Sequence, residues 1–153
     1  MQISVVIPAY GQCPHLPGNL RALLAGERAP DEVIVAHSGP CDPTDKLAAL
    51  GPAVRVLHSE DRLLGGAARN RGAAAARGAL LAFLDADVRP APDWLARLAA
   101  AHRPGRFVVG SVGMAETGGY WGVCNWISEF SQQPPWRKAG AQTGGASCNM
   151  LVA

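Results

Sequence analysis

The feature that most restricts this chain is an apolar run without polar alternation. Ile3 to Ile7 is dominated by β-branched residues and ends at Pro8. A strand with one wet face would alternate polar and apolar residues, so this run is expected to be buried on both faces of a parallel sheet. Glu32 to Ala36, Val54 to Leu57 and Leu80 to Leu84 repeat the pattern, and helical spacings lie between them. Leu16, Leu20, Leu23 and Leu24 recur on one helical face, which Gly26 and Pro30 close off. Asp42 to Leu50 reads as a short helix capped by Asp42 or Thr44, and the Ala-rich stretch from Gly66 to Arg77 as a helix closed by Gly78. A further helix is expected from Pro92 to about His102. Strands alternating with helices require right-handed crossovers, so the expected class is α/β: a mostly parallel sheet flanked by helices, in one domain over residues 1–153.

Beyond Pro104 the pattern changes. Phe107 to Val112 and Ala146 to Ala153 are strand-like, and the chain ends on apolar residues, which reads as a C-terminally truncated domain. Between them, Tyr120, Trp121, Trp126, Phe130 and Trp136 accompany Arg137 and Lys138. Core packing is the first expectation for these aromatics. An acceptor wall or a peripheral membrane contact is the alternative.

Composition narrows the function classes. With 14 Lys and Arg against 12 Asp and Glu, the formal charge of +2 offers no general attraction to nucleic acid. Cys13, Cys41, Cys124 and Cys148 form no C-x-x-C pair and have no His at ligand spacing, so reduced thiols are expected rather than zinc. The N-terminus lacks the basic region of a secretory leader, and no apolar run reaches membrane-spanning length. The expected location is cytoplasmic, with the inner face of the membrane as the variant that a peripheral contact would add.

In open parallel sheets, ligands bind outside the carboxyl ends of the strands, where loops supply polar groups and helix N-termini supply positive potential. Three segments fall there: Pro8-Ala9-Tyr10, His37-Ser38-Gly39 and Asp85-Ala86-Asp87. Two carboxylates one residue apart on a loop suit a hard cation such as Mg²⁺ or Mn²⁺, with a diphosphate completing its oxygen shell. The competing reading is that Asp85 and Asp87 only cap the helix that opens near Pro92.

Ser4-Val-Val-Ile-Pro-Ala-Tyr10, Glu32-Val-Ile-Val35, Gly66-Ala-Ala-Arg-Asn-Arg-Gly72, Ala82-Phe-Leu-Asp-Ala-Asp87 and Cys148-Asn-Met150 occur in this order. With them the chain resembles the N-terminal, nucleotide-sugar-binding part of a family 2 glycosyltransferase with the GT-A fold. The resemblance implies a nucleoside-diphosphate sugar donor, an acceptor hydroxyl on a sugar, lipid or polysaccharide, and a metal-dependent, inverting transfer. It implies that Pro8, Ala9 and Tyr10 line the nucleobase pocket, that Arg69 and Asn70 face the donor, that Asp85 and Ala86 lie near the ribose or metal, and that Asp87 binds the cation with Asp85. Arg can meet phosphate or ribose oxygens there, although a solvated helix face also accounts for Arg69 and Asn70.

Two departures stand out. The family's Asp-Asp pair after the second strand is replaced by His37 and Ser38, either of which could still contact a base or mark an altered nucleotide preference. The family's catalytic base follows a strand resembling Ala146 to Ala153, so it is expected beyond Ala153; Glu116 and Glu129 read as ordinary surface acids. A dinucleotide-binding oxidoreductase is disfavoured because no G-x-G-x-x-G follows the first strand. A module that binds nucleotide sugar without transferring it is the remaining alternative.

Overall fold

The computed structural model describes residues 1–114, 119–141 and 145–153. Strands β1 (Ile3–Tyr10), β2 (Glu32–Ser38), β3 (Val54–Leu57) and β4 (Leu80–Leu84) alternate with helices α1 (Leu16–Leu24), α2 (Thr44–Ala48) and α3 (Gly65–Ala75). Then follow α4 (Trp94–Ala101), β5 (Val108–Val109), α5 (Gly119–Phe130) and β6 (Asn149–Val152). The sheet order is β3-β2-β1-β4-β6-β5. The first four strands are parallel, whereas β6 runs antiparallel to both β4 and β5.

Burial on both faces explains the unbroken apolar strands. One face of β1 and β2, with Ile3, Val5, Ile7, Val33 and Val35, joins Leu16, Leu20 and Leu23 of α1, Leu47 of α2 and Trp94, Leu95 and Leu98 of α4 in one cluster. On the opposite face α3 lies across β1 and β2. There a Cβ on Gly72 would meet Val6 Cγ1 at 2.4 Å, so the internal glycine that weakens α3 as a helix is what lets it seat on the sheet. Gly72→Ala is therefore expected to lower stability by about 1–3 kcal/mol through overpacking, read as a lower urea midpoint with an unchanged slope.

Several boundaries differ from the sequence expectation for local reasons. β1 passes through Pro8 to Tyr10, since the ladder to β4 stops at the Val6–Phe83 pair and the missing proline N–H falls beyond it. β2 likewise runs on to Ser38, in register with Tyr10. α3 ends at Ala75 because Ala76 is already extended, with ψ 148°; Gly78 instead packs against Ser4. Asp42 sits one residue too early to be the N-cap of α2, yet its Oδ1 accepts from Thr44 N–H at 2.9 Å and Thr44 Oγ1 at 2.5 Å. The Phe107–Val112 strand shrinks to Val108–Val109, and the final strand is confined to Asn149–Val152.

The aromatic stretch is not core. Tyr120, Trp121 and Trp136 are each about three-quarters exposed, and α5 buries no residue. Trp126 is half-buried and donates Nε1–H to Val112 O at 2.9 Å. Among the described residues no helix is long and apolar enough to cross a membrane.

At the amino ends of the strands, Glu32 accepts from Ser4 Oγ at 2.7 Å, Arg55 Nη2 at 2.9 Å and Arg77 N–H at 3.1 Å, joining β1, β2, β3 and the α3–β4 link. Burial pushes its carboxyl upward, but the Ser4 and Arg77 hydrogen bonds and the Arg55 charge outweigh that and hold it below its ordinary 4.5. A lowered folded value contributes stability above the unfolded pKa that is lost as pH falls through the folded one. Urea midpoints measured across the acid range should accordingly fall below the ordinary Glu value in the native chain, and fall less steeply there in Glu32→Gln.

Candidate active site

The order β3-β2-β1-β4 carries a topological switch: the chain steps outward from β1 through β2 to β3, then returns to place β4 on the other side of β1. Loops leaving β1 and β4 therefore diverge and open a crevice between them. A cleft of about 370 Å³ lies there. Pro8, Ala9 and Tyr10 enter it from β1, Ala68 and Arg69 from the first turns of α3, and Asp85, Ala86 and Asp87 from the loop after β4.

Arg69 Nη2 meets Asp85 Oδ1 at 2.5 Å, with side chains 21% and 31% exposed. This charge-assisted contact ties α3 to the β4 loop and fixes one of the two carboxylates. Arg69 Nε is buried without a hydrogen-bond partner among the described residues. Asp87 is exposed and, among the described residues, forms no ion pair. Neither Asp85 nor Asp87 caps α4, whose N-cap is Asp93 without a side-chain bond. The loop is held instead by Asn19 Nδ2–H to Ala86 O at 3.0 Å and Val88 N–H to Asp85 O at 3.1 Å.

The end of β2 plays a different part from the one expected. His37 and Ser38 are essentially fully buried, and Ser38 is absent from the cleft wall. Ser38 Oγ accepts Leu63 N–H at 3.1 Å, and His37 reaches Gly11 O through Nε2 at 2.9 Å and His58 Nδ1 through Nδ1 at 3.0 Å. Ser59 N–H donates to His37 O and Gly39 N–H to Ser59 O. These bonds sew the segment from His58 to Leu63 onto β2 and onto Gly11, whose φ of +61° turns the chain after Tyr10. Asn70 is exposed on α3 and lies outside the cleft wall, one residue past Arg69 and so rotated away from it. Glu129 is exposed on α5, and Glu116 lies outside the described residues.

Sequence reasoning missed Gln12, Cys13, His15 and Leu63 on the cleft wall, and Asn19 behind it. Asn19 had a signal: a polar residue inside the Leu16–Leu20–Leu23 stripe, 7% exposed, must find a partner. Asn149, of the terminal motif, has a similar role. It accepts Trp94 Nε1–H at 2.8 Å and donates Nδ2–H to Ser111 O at 2.8 Å, tying α4 and the β5 exit to β6. Beside it Cys148 is 4% exposed, and burial, aided by the Asp85 charge, pushes its thiol up to about 11. In mildly alkaline buffer, iodoacetamide is expected to modify exposed Cys41 and to leave Cys148 untouched until urea unfolds the chain; mass-spectrometric mapping of each thiol checks this.

The family model described as Glycosyl transferase family 2 matches residues 4–151. Glycosyltransferase AglD of Haloferax volcanii is 34% identical over 116 residues, which is 70% of this chain and 19% of that protein. The mannosyltransferase PcManGT from Pyrobaculum calidifontis, solved with GDP-Man and Mn²⁺, superposes with a TM-score of 0.63 at 25% identity, covering 72% of this chain and 35% of that one. Glucosyl-3-phosphoglycerate synthase of Mycobacterium tuberculosis, solved with Mn²⁺, UDP and phosphoglyceric acid, gives 0.56 at 27% identity, covering 72% and 43%. The chain thus spans less than half the length of each of these proteins. A match across nearly every residue, on a sheet whose switch-point crevice holds the expected tyrosine and aspartates, places this chain in glycosyl transferase family 2.

Proposed function

We propose that this chain binds a nucleoside-diphosphate sugar across the β1–β4 crevice and serves an inverting transfer of the sugar to an acceptor hydroxyl of a sugar, lipid or polysaccharide. The observation that carries this reading is the meeting of Tyr10, the Arg69–Asp85 pair and Asp87 in one cleft. A ring suited to packing on a base thus lies in the same cleft as a cation-and-carboxylate set suited to a diphosphate.

The donor set fits a divalent metal of the hard kind. Asp85 and Asp87 offer carboxylate oxygens, and no group of three or more His, Cys, Asp or Glu forms a self-sufficient cage among the described residues. Mg²⁺ and Mn²⁺ sites of this type use one or two carboxylates and leave the remaining positions to phosphate oxygens and water. Such an ion, when bound, would neutralise the charge that develops on the departing diphosphate. Arg69 would set its positive charge beside that diphosphate while its Nη2 keeps Asp85 oriented. Asn19 would hold the loop in place through Ala86 O, so that little reorganisation is needed as the bond breaks. The structural neighbours solved with GDP-Man or UDP together with Mn²⁺ support the same assignment.

Asp87→Ala is expected to abolish Mn²⁺-dependent binding of UDP and GDP in calorimetry and to leave the melting temperature unchanged, because the side chain is exposed and forms no ion pair among the described residues. Equal affinity in mutant and native chain, with and without Mn²⁺, would remove the metal role. A second reading is a module that binds donor without transferring sugar, favoured because Asp85 and Asp87, the two carboxylates on the cleft wall, are both assigned to the cation, which leaves neither as a base for the acceptor hydroxyl. Metal-dependent release of nucleotide from sugar donors by the chain would argue against that module; no release alongside tight donor binding would favour it.

A further inference from the structure

The Arg62 guanidinium carbon lies 4.7 Å from the centre of the Tyr10 ring, on the exposed rim of the cleft. The spacing is that of a cation resting on an aromatic face, the face on which a planar base would stack. The segment that carries Arg62 is not loose. Its ends are pinned to β2 by Ser59 N–H to His37 O at 3.1 Å and Leu63 N–H to Ser38 Oγ at 3.1 Å, and Arg71 Nη2 donates to His58 O at 2.9 Å. Arg62 itself takes part in none of the ion pairs among the described residues, although Glu60 and Asp61 stand beside it in sequence. Its donors are therefore uncommitted, and its backbone is held where they can reach a ligand on Tyr10.

From this placement we infer that Arg62 is the specificity-determining residue of the nucleobase subsite, and that it selects a guanine nucleotide. The inference rests on the donor-binding reading above. His37 and Ser38 cannot read a base, because both are buried and their side-chain polar atoms are already bonded within the protein. The side chains at the end of β2 thus present no free acceptor for the N3–H of uracil. Arg62 supplies the opposite chemistry. A guanidinium offers paired N–H donors, and guanine presents two adjacent acceptors, O6 and N7, that accept such a pair together. Uracil has no two adjacent acceptors, since its N3–H lies between O2 and O4. A base arriving on Tyr10 takes the ring face, and the guanidinium moves from that face to the edge of the base.

Calorimetry in Mn²⁺ with GDP, UDP and inorganic pyrophosphate tests this in the native chain, Arg62→Ala and Arg62→Lys. The native chain should bind GDP more tightly than UDP. Arg62→Ala should lose about tenfold or more in GDP affinity and most of the preference over UDP, with pyrophosphate affinity unchanged. Arg62→Lys should restore little, because an ammonium cannot make the paired contact. An exposed loop side chain leaves the fold intact, which an unchanged melting temperature verifies. Unaltered or tighter GDP binding in Arg62→Ala would overturn the inference and make Arg62 only a cover that the base displaces. An equal loss for pyrophosphate would also overturn it, making Arg62 a phosphate contact. A native chain that binds UDP as well as GDP removes the guanine selection alone, whereas one that binds none of the three ligands removes the donor-binding reading itself.

Discussion

The pairing of β1 on both of its edges is the constraint on which the rest depends. With β2 on one side and β4 on the other, β1 is the strand where the chain changes direction across the sheet. Its neighbours must enter in parallel, so their connections cross over as helices and cover both faces. Its carboxyl end must also be the place where loops part. The cleft is therefore a consequence of strand order before any particular side chain is considered.

Chemistry is added to that crevice by contacts that cross between elements. Arg69 stands on a helix that seats on the sheet only because Gly72 admits the Val6 side chain, and it grips Asp85 on the far side of the opening. Asn19 secures the same loop from α1. Asp87 thus stands on a loop fixed at two points while its own carboxylate stays uncommitted. That combination of a rigid support and an unspent ligand group suits a cation site.

Much of this was legible in the chain itself. Strand character at Ile3–Ile7, Glu32–Ala36, Val54–Leu57 and Leu80–Leu84 is written in β-branched runs, and the positions of Tyr10 and Asp85–Asp87 follow from those strands ending where they do. What was not legible shares a physical cause. Whether His37 and Ser38 face a ligand or the interior depends on a segment more than twenty residues away that folds over them, and local pattern carries no trace of it. The Trp-rich stretch misled in the opposite sense: helical spacing of aromatics implies a buried stripe only when another element lies opposite, and α5 has no such cover among the described residues. Asn70 and Arg69 are neighbours in sequence, but a helix turns successive residues well apart, and only Arg69 reaches the cleft.

The histidine pair at the end of β2 has a directional character. A carbonyl oxygen only accepts, so the His37 nitrogen that touches Gly11 must carry a hydrogen, and the opposite nitrogen of a neutral His37 must accept one. The hydrogen between the two rings therefore belongs to His58. The seam between the tyrosine turn and the arginine-bearing segment is thus a relay of hydrogens with one sense, handed from the His58 ring to the His37 ring and on to the Gly11 carbonyl.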